Sequence, residues 1–281
     1  AIPSHWRPLA VGLMGSGIGL GVVFAGSVSG SLRNSLGDAA WSNVYQIQFA
    51  FGFVVMIAVF LLVRHQQTAP SGGGGLGGFS ALQRMRGWLP LVLAYACFGF
   101  MYLLVLGFLT TRLEDDSGWT SANASWAFSL LGLSMIFGGP LFTTMAQRLG
   151  VRFALIFAFG LWPVFSLIVL TGLALPVFLA CVGIGFLFSA LPSLITLYVV
   201  ENTSAEDYGA SFAGATLVFG VAQMISPPIG GWIADAAGSF TLVFLLSAVT
   251  SVIGLLATLR LPKRGERCDA EKGIEKSNDI E

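Results

Sequence analysis

The regularly spaced polar side chains of this chain are hydroxyls and one amide, each set inside a long apolar run. In residues 89 to 111, Tyr95 and Tyr102 lie two helical turns apart on one face, with Phe98 and Gly99 between them. In residues 175 to 199, Gly185, Ser189, Ser193 and Thr196 share a face, and Pro192 removes one backbone donor beside them. In residues 209 to 234, Thr216, Phe219 and Gln223 line one face ahead of Pro227-Pro228. Such groups can offer ring faces, hydroxyls and an amide to a small ligand. Each stripe also has a packing reading, because Ser and Thr bond carbonyls of their own helix and tyrosines anchor neighbouring helices. Gln223 is the strongest hydrogen-bonding group deep in any run, and a buried amide needs partners.

The same inventory argues against catalysis. Covalent or acid–base chemistry requires a nucleophile with a base, paired carboxylates, or gathered metal ligands. His5 and His65 both lie outside the apolar runs, and Cys97 and Cys181 lie within runs that contain no base. Cys268 falls in the C-terminal tail, so no disulfide framework is implied and all three cysteines read as structural. No enzyme activity, cofactor, metal or nucleic-acid partner is expected. A non-catalytic membrane scaffold or channel subunit is the competing reading, and an intramembrane enzyme is the weaker one.

The runs themselves are membrane spans. Eight stretches, near 9 to 30, 41 to 63, 89 to 111, 124 to 146, 151 to 172, 175 to 199, 209 to 234 and 238 to 260, carry no ionisable residue at their centres. A helix rising about 1.5 Å per residue crosses a core of about 30 Å in roughly 20 residues. The composition, 55% hydrophobic and 10% charged, differs sharply from the roughly 25% charged residues of soluble domains. The expected fold class is therefore an all-α integral membrane protein with eight transmembrane helices.

Cations set the orientation. With the N-terminus inside, Arg7, Arg64, Arg84, Arg86, Arg148, Arg152, Arg260 and the lysines and arginines of the tail are cytoplasmic, and only Arg33 and Arg112 lie outside. The positive-inside rule then places both termini in the cytoplasm of a multi-pass cell-membrane protein. Residues 64 to 88 read as a Gly-rich cytoplasmic linker ending in a cationic segment with Phe79, Leu82 and Met85 at helical spacing. Residues 261 to 281 alternate charges without an apolar face and read as a disordered cytoplasmic tail. In the first span Gly12, Gly15, Gly19, Gly26 and Gly30 fall within an arc of about 60°, a groove that admits a close helix neighbour.

Together, the Gly-rich first span, YACFGFMYLLVLGFL (Tyr95 to Leu109), MAQRLGVR (Met145 to Arg152) and FGVAQMISPPIGGWIADAAGSF (Phe219 to Phe240) resemble a major facilitator superfamily transporter, closest to the YbfB/YjiJ-like branch. That branch's seventh helix resembles Y-x-x-F-G-x-x-Y, matched by Tyr95, Phe98, Gly99 and Tyr102. Its eleventh resembles F-x-x-x-Q-x-x-x-P with an outer G-x-x-x-D-x-x-G-S turn, matched by Phe219, Gln223, Pro227, Gly231, Asp235, Gly238 and Ser239. The resemblance implies that the eight spans are helices five through twelve of a twelve-helix transporter, with the first four absent. Residues 1–63 would then be two helices of the N-terminal bundle, 64–88 the central cytoplasmic loop, and 89–260 the six-helix C-terminal bundle.

It also implies alternating access for a small-molecule substrate, with Tyr95, Tyr102, Ser189, Ser193 and Gln223 at the site. Arg148, Gly150 and Arg152 match the superfamily's cytoplasmic gating motif, although Gln147 stands where that motif carries Asp. Because no carboxylate lies at membrane depth, any proton coupling is expected to run through residues outside this chain. The absence of charge on these faces favours a neutral, amphipathic or aromatic solute. Topology is directly testable: reporters placed after Glu281 and near Gly73 are expected in the cytoplasm, and one near Asp116 outside. Disagreement at any of the three sites breaks the eight-span arrangement.

Overall fold

The computed structural model describes residues 7–62, 77–204 and 206–262, and among these the chain is helix and turn throughout. Helix α1 spans Arg7–Leu36, α2 Trp41–Leu62, α3 Gly77–Arg84, α4 Trp88–Thr111, α5 Ser121–Leu149, α6 Val151–Val169, α7 Ala174–Asn202, α8 Tyr208–Ala237 and α9 Thr241–Leu259. Each expected span thus falls on one long helix. Seven of these helices are long and apolar enough to cross a membrane. Helix α1, at 30 residues, has the length, but its glycines and serines dilute its apolar character. The linker's Gly-rich first part and the tail beyond Pro262 lie outside the described residues.

The cationic end of the linker forms α3, which docks on the bundle. Leu82 and Met85 are buried, Phe79 packs against the same core, and Arg84 pairs with Asp207 ahead of α8 at 2.7 Å. The core lies between α4, α5, α6, α7 and α9. Trp162 of α6 is fully buried and donates through Nε1 to Ser247 Oγ of α9 at 3.1 Å. Ser247 in turn donates to the Met101 carbonyl of α4 at 2.9 Å, so one hydroxyl ties three helices.

Prolines inside the helices leave carbonyls without their usual donors, and in lipid those carbonyls must be served by protein. Pro140 in α5 frees the carbonyl four residues earlier, that of Ile136, which accepts from Ser16 of α1. Pro163 in α6 frees the Phe159 carbonyl, which accepts from Ser251 of α9 at 2.8 Å.

The glycine groove of α1 faces α5. A Cβ on Gly19 would lie 2.8 Å from the Gly132 carbonyl oxygen, and one on Gly12 2.8 Å from Pro140 Cα. In return, a Cβ on Gly132 would lie 2.9 Å from the Val23 backbone nitrogen. The two backbones therefore approach where neither carries a side chain, as small-residue membrane interfaces do. Helix α2 buries no residue and touches α1 through a stacked Phe24–Phe51 pair at 4.1 Å. Gly19→Val is expected to prise α1 from α5 and destabilise the protein by about 1–3 kcal/mol in a detergent thermal melt. Gly17→Val, where a Cβ meets nothing within 4 Å, should leave the melt unchanged, and equal melts for both variants would refute the groove contact.

Candidate functional site

The site forms where α4 and α8 meet. Tyr95, Phe98 and Tyr102 recur at three- and four-residue steps along α4 and so share one face. Gly99 lies among them, and a Cβ there would meet the Phe219 ring and carbonyl oxygen, each at 2.8 Å. This missing side chain lets Phe219 of α8 slide between the α4 rings. Phe219 stacks on Tyr95 at 4.5 Å and 23°, and on Tyr102 at 6.0 Å and 7°. Phe98 stacks on Tyr102 at 5.0 Å, while Phe188 of α7 meets Tyr102 edge-on at 5.0 Å. Trp162 backs Phe98 edge-on at 6.4 Å, which seats the cluster on the bundle core.

One polar link crosses the cluster. Tyr102 Oη donates to Gln223 Oε1 at 2.7 Å. Both side chains are half-buried. With Oε1 engaged, the Gln223 amide keeps two N–H donors and the Tyr102 oxygen keeps its acceptor lone pairs. The pair can thus donate to a ligand carbonyl or accept from a ligand hydroxyl without carrying charge.

The structure joins Tyr102 to Gln223 and buries Tyr95 against Phe219 beside them, while Ser189 and Ser193 lie elsewhere. Ser189, fully buried, accepts from the Gly139 N–H at 2.8 Å and donates to the Met135 carbonyl at 2.6 Å. It therefore engages both ends of one rung of the α5 ladder, an amide and the carbonyl four residues before it. Ser193 donates to the Ser189 carbonyl at 2.8 Å. Gly185 extends the same contact, since a Cβ on it would overlap the Leu131 carbonyl. The α7 stripe is thus the α5 packing face, and hydroxyls spent on backbone carbonyls are not presented to a cavity. Phe188 and Phe212 join the site without having been singled out. Phe212 lies seven residues before Phe219 and could have been found by extending that stripe; Phe188 sits beside the serine stripe and gave no such signal.

Arg148, Gly150 and Arg152, the expected loop-motif residues, occupy the α5–α6 junction. Gly150 adopts φ +91°, a conformation that glycine alone reaches easily, and separates the two helices by a single residue. Arg152 donates through Nη2 to the Leu259 carbonyl at the C-terminus of α9, a favourable place for a cation. Arg148 is exposed. At the opposite end, Arg112 is buried, pairs with Asp116 at 3.3 Å and donates to the Leu170 carbonyl at 3.2 Å. Asp116 accepts from Ser239 and from the Phe240 N–H that opens α9. Arg33 of α1 pairs there with Glu114 at 3.1 Å, across a cleft of about 250 Å³ that both residues line.

Residues 91–277 match the family model described as Major Facilitator Superfamily. Monocarboxylate transporter 12 of Mus musculus is 29% identical over 85 residues, which is 30% of this chain and 18% of that protein. Its Rattus norvegicus counterpart is 28% identical over the same length. Among solved structures, a variant of the E. coli fucose:proton symporter FucP aligns with a TM-score of 0.59 at 18% identity, covering 82% of this chain and 57% of that one. A second FucP structure, in the outward conformation, also gives 0.59, at 19% identity and covering 79% and 55%. This chain therefore spans little more than half of the transporters whose fold it shares, and a smaller part of its sequence relatives.

If the Tyr102–Gln223 bond contributes as interhelical bonds in membranes do, a double-mutant cycle of Tyr102→Phe and Gln223→Leu should give a coupling of about 0.6–1.7 kcal/mol in detergent unfolding. Strict additivity of the two single variants would mean that the bond does not hold α4 to α8.

Proposed function

The chain belongs to the Major Facilitator Superfamily, and from that premise we propose that it forms part of a secondary transporter that carries a small solute by alternating access. Its eight long helices correspond to helices five through twelve of a twelve-helix protein, with α1 as the eighth membrane span. At about 1.5 Å per residue, α1 exceeds the thickness of a bilayer core. The motif match over Tyr95–Tyr102 and Phe219–Ser239 favours the YbfB/YjiJ-like branch. On this reading α1 and α2 belong to the N-terminal bundle, the linker around α3 is the central cytoplasmic loop, and α4 to α9 form the C-terminal bundle. The bare surface of α2 and the glycine seam between α1 and α5 are what such a division predicts.

The observation that carries the proposal is the half-exposed Tyr102–Gln223 pair, an uncharged donor–acceptor set inside an aromatic wall at membrane depth. Tyr102 and Gln223 contact the solute with Tyr95 buried behind them, whereas Ser189 holds α7 against α5 and Ser193 bonds back within α7. Arg148, Gly150 and Arg152 form the cytoplasmic hinge, with Arg152 linking the α5–α6 turn to the end of α9. Both termini are cytoplasmic in the cell membrane, in keeping with the cation distribution.

The relatives, a monocarboxylate transporter and a fucose:proton symporter, suggest a monocarboxylate or fucose as substrate and a proton as coupling ion. Among the described residues, those around Tyr102 and Gln223 include no cation to balance a carboxylate, so an uncharged solute fits this half of the site better. Coupling, where present, uses residues outside this chain. For a solute identified by uptake screening of the full-length protein in vesicles, Gln223→Leu is expected to weaken binding about tenfold to a hundredfold, the usual consequence of losing a hydrogen-bonding amide. Membrane expression should be preserved, because Leu is at least as favourable in lipid. Normal affinity in Gln223→Leu would place the site elsewhere.

A further inference from the structure

On the reading of the site just given, we propose that Tyr208, Phe212, Tyr95, Phe219 and Tyr102 form one continuous ring column. This column binds an uncharged aromatic solute and passes it between the N-terminal end of α8 and Gln223. Consecutive rings meet at 5.8 Å and 14° for Tyr208–Phe212, and at 6.5 Å and 29° for Phe212–Tyr95. They continue at 4.5 Å and 23° for Tyr95–Phe219, then 6.0 Å and 7° for Phe219–Tyr102. Every step stays close to parallel although the rings come from two helices.

The pattern follows from helical spacing. Helix α8 supplies positions 208, 212, 219 and 223, separated by four, seven and four residues, and so keeps them on one face. Helix α4 supplies 95 and 102, two turns apart, to fill the gaps. From Tyr208 to Gln223 the column runs about 22 Å along the helix axis, most of the distance from one surface to beyond the membrane centre. Tyr208, Phe212, Phe219 and Tyr102 are half-buried and keep ring edges open, while Tyr95 is buried behind Phe219 and joins the column as its backing.

The chemistry of the column defines its occupant. Ring edges are electropositive and attract the face of another aromatic ring, a preference that a saturated ring does not share. Each step along the column exchanges one such contact for an equivalent one, so no position becomes a trap. An anionic solute finds no cation among these five rings and would lose hydration on entering. At the inner end, the free amide protons of Gln223 and the Tyr102 oxygen stop a solute that carries a carbonyl or hydroxyl.

A thiol reporter tests the column in full-length protein from which Cys97, Cys181 and Cys268 have been replaced. Gly220→Cys stands beside Phe219, where a Cβ meets nothing within 4 Å. Its modification by a water-soluble methanethiosulfonate reagent is timed with benzamide, with cyclohexanecarboxamide or with benzoate present. Benzamide is expected to slow modification about fivefold, and the other two by less than about twofold, the difference that one aromatic contact supplies. Adding Phe212→Leu should reduce the benzamide protection, whereas Phe49→Leu on α2 should not. Modification that benzamide leaves unchanged, or that cyclohexanecarboxamide slows equally, overturns the ring column and leaves the transport site standing. A Gly220→Cys that never reacts overturns both, because α8 then lines no water-filled route.

Discussion

Inside this bundle, backbone carbonyls at close helix contacts are repeatedly served by a serine of the neighbouring helix. Ser16 and Ser251 serve the carbonyls that Pro140 and Pro163 leave open. Ser189, Ser226 and Ser247 likewise donate across helix contacts to the Met135, Phe100 and Met101 carbonyls, which no proline has opened. Each bond is worth only about 0.6–1.7 kcal/mol, but together they join α1 and α7 to α5, α8 and α9 to α4, and α9 to α6. A serine fits this task because its short side chain lets two helices approach closely while reaching the neighbouring backbone. The position of the aromatic wall follows from these joints, since α4 is held from both sides by Ser226 and Ser247.

Charge is arranged on the opposite principle. The described ion pairs Arg33–Glu114, Arg112–Asp116 and Arg84–Asp207 all lie at helix ends, and Arg152 caps the end of α9. The interior is left to rings, hydroxyls and one amide, which hold their shape without neutralising a partner charge. Such a wall can discriminate by shape and hydrogen bonding, and it remains insensitive to the protonation of any group in the described half.

The spans were legible because length and apolarity are properties of one helix at a time. The groove of α1 and the faces carrying Tyr95, Tyr102, Phe219 and Gln223 were legible for the same reason, since helical period fixes which residues share a side. Period does not say what that side meets. The Ser189–Ser193 stripe has the same pattern whether it lines a cavity or lies against α5, and only the position of Gly138, Gly139 and Met135 opposite it decides. Phe188 was hidden because its role depends on how α7 is rotated against α4. Helix α3 could be read as helical from Phe79, Leu82 and Met85, yet where that apolar face docks was not legible, since the Arg84–Asp207 pair beside it joins residues more than a hundred apart in the chain.

Ser16 stands on α1 and its acceptor Ile136 on α5, so this bond crosses the seam between the two proposed bundles. When α1 shifts along α5, the Ile136 carbonyl has to change donors. It can pass to water only if the seam becomes wet, and a dry seam would leave it unpaired at a cost of about 1–3 kcal/mol. A single serine hydroxyl thereby fixes the register of the two helices wherever the seam is dry.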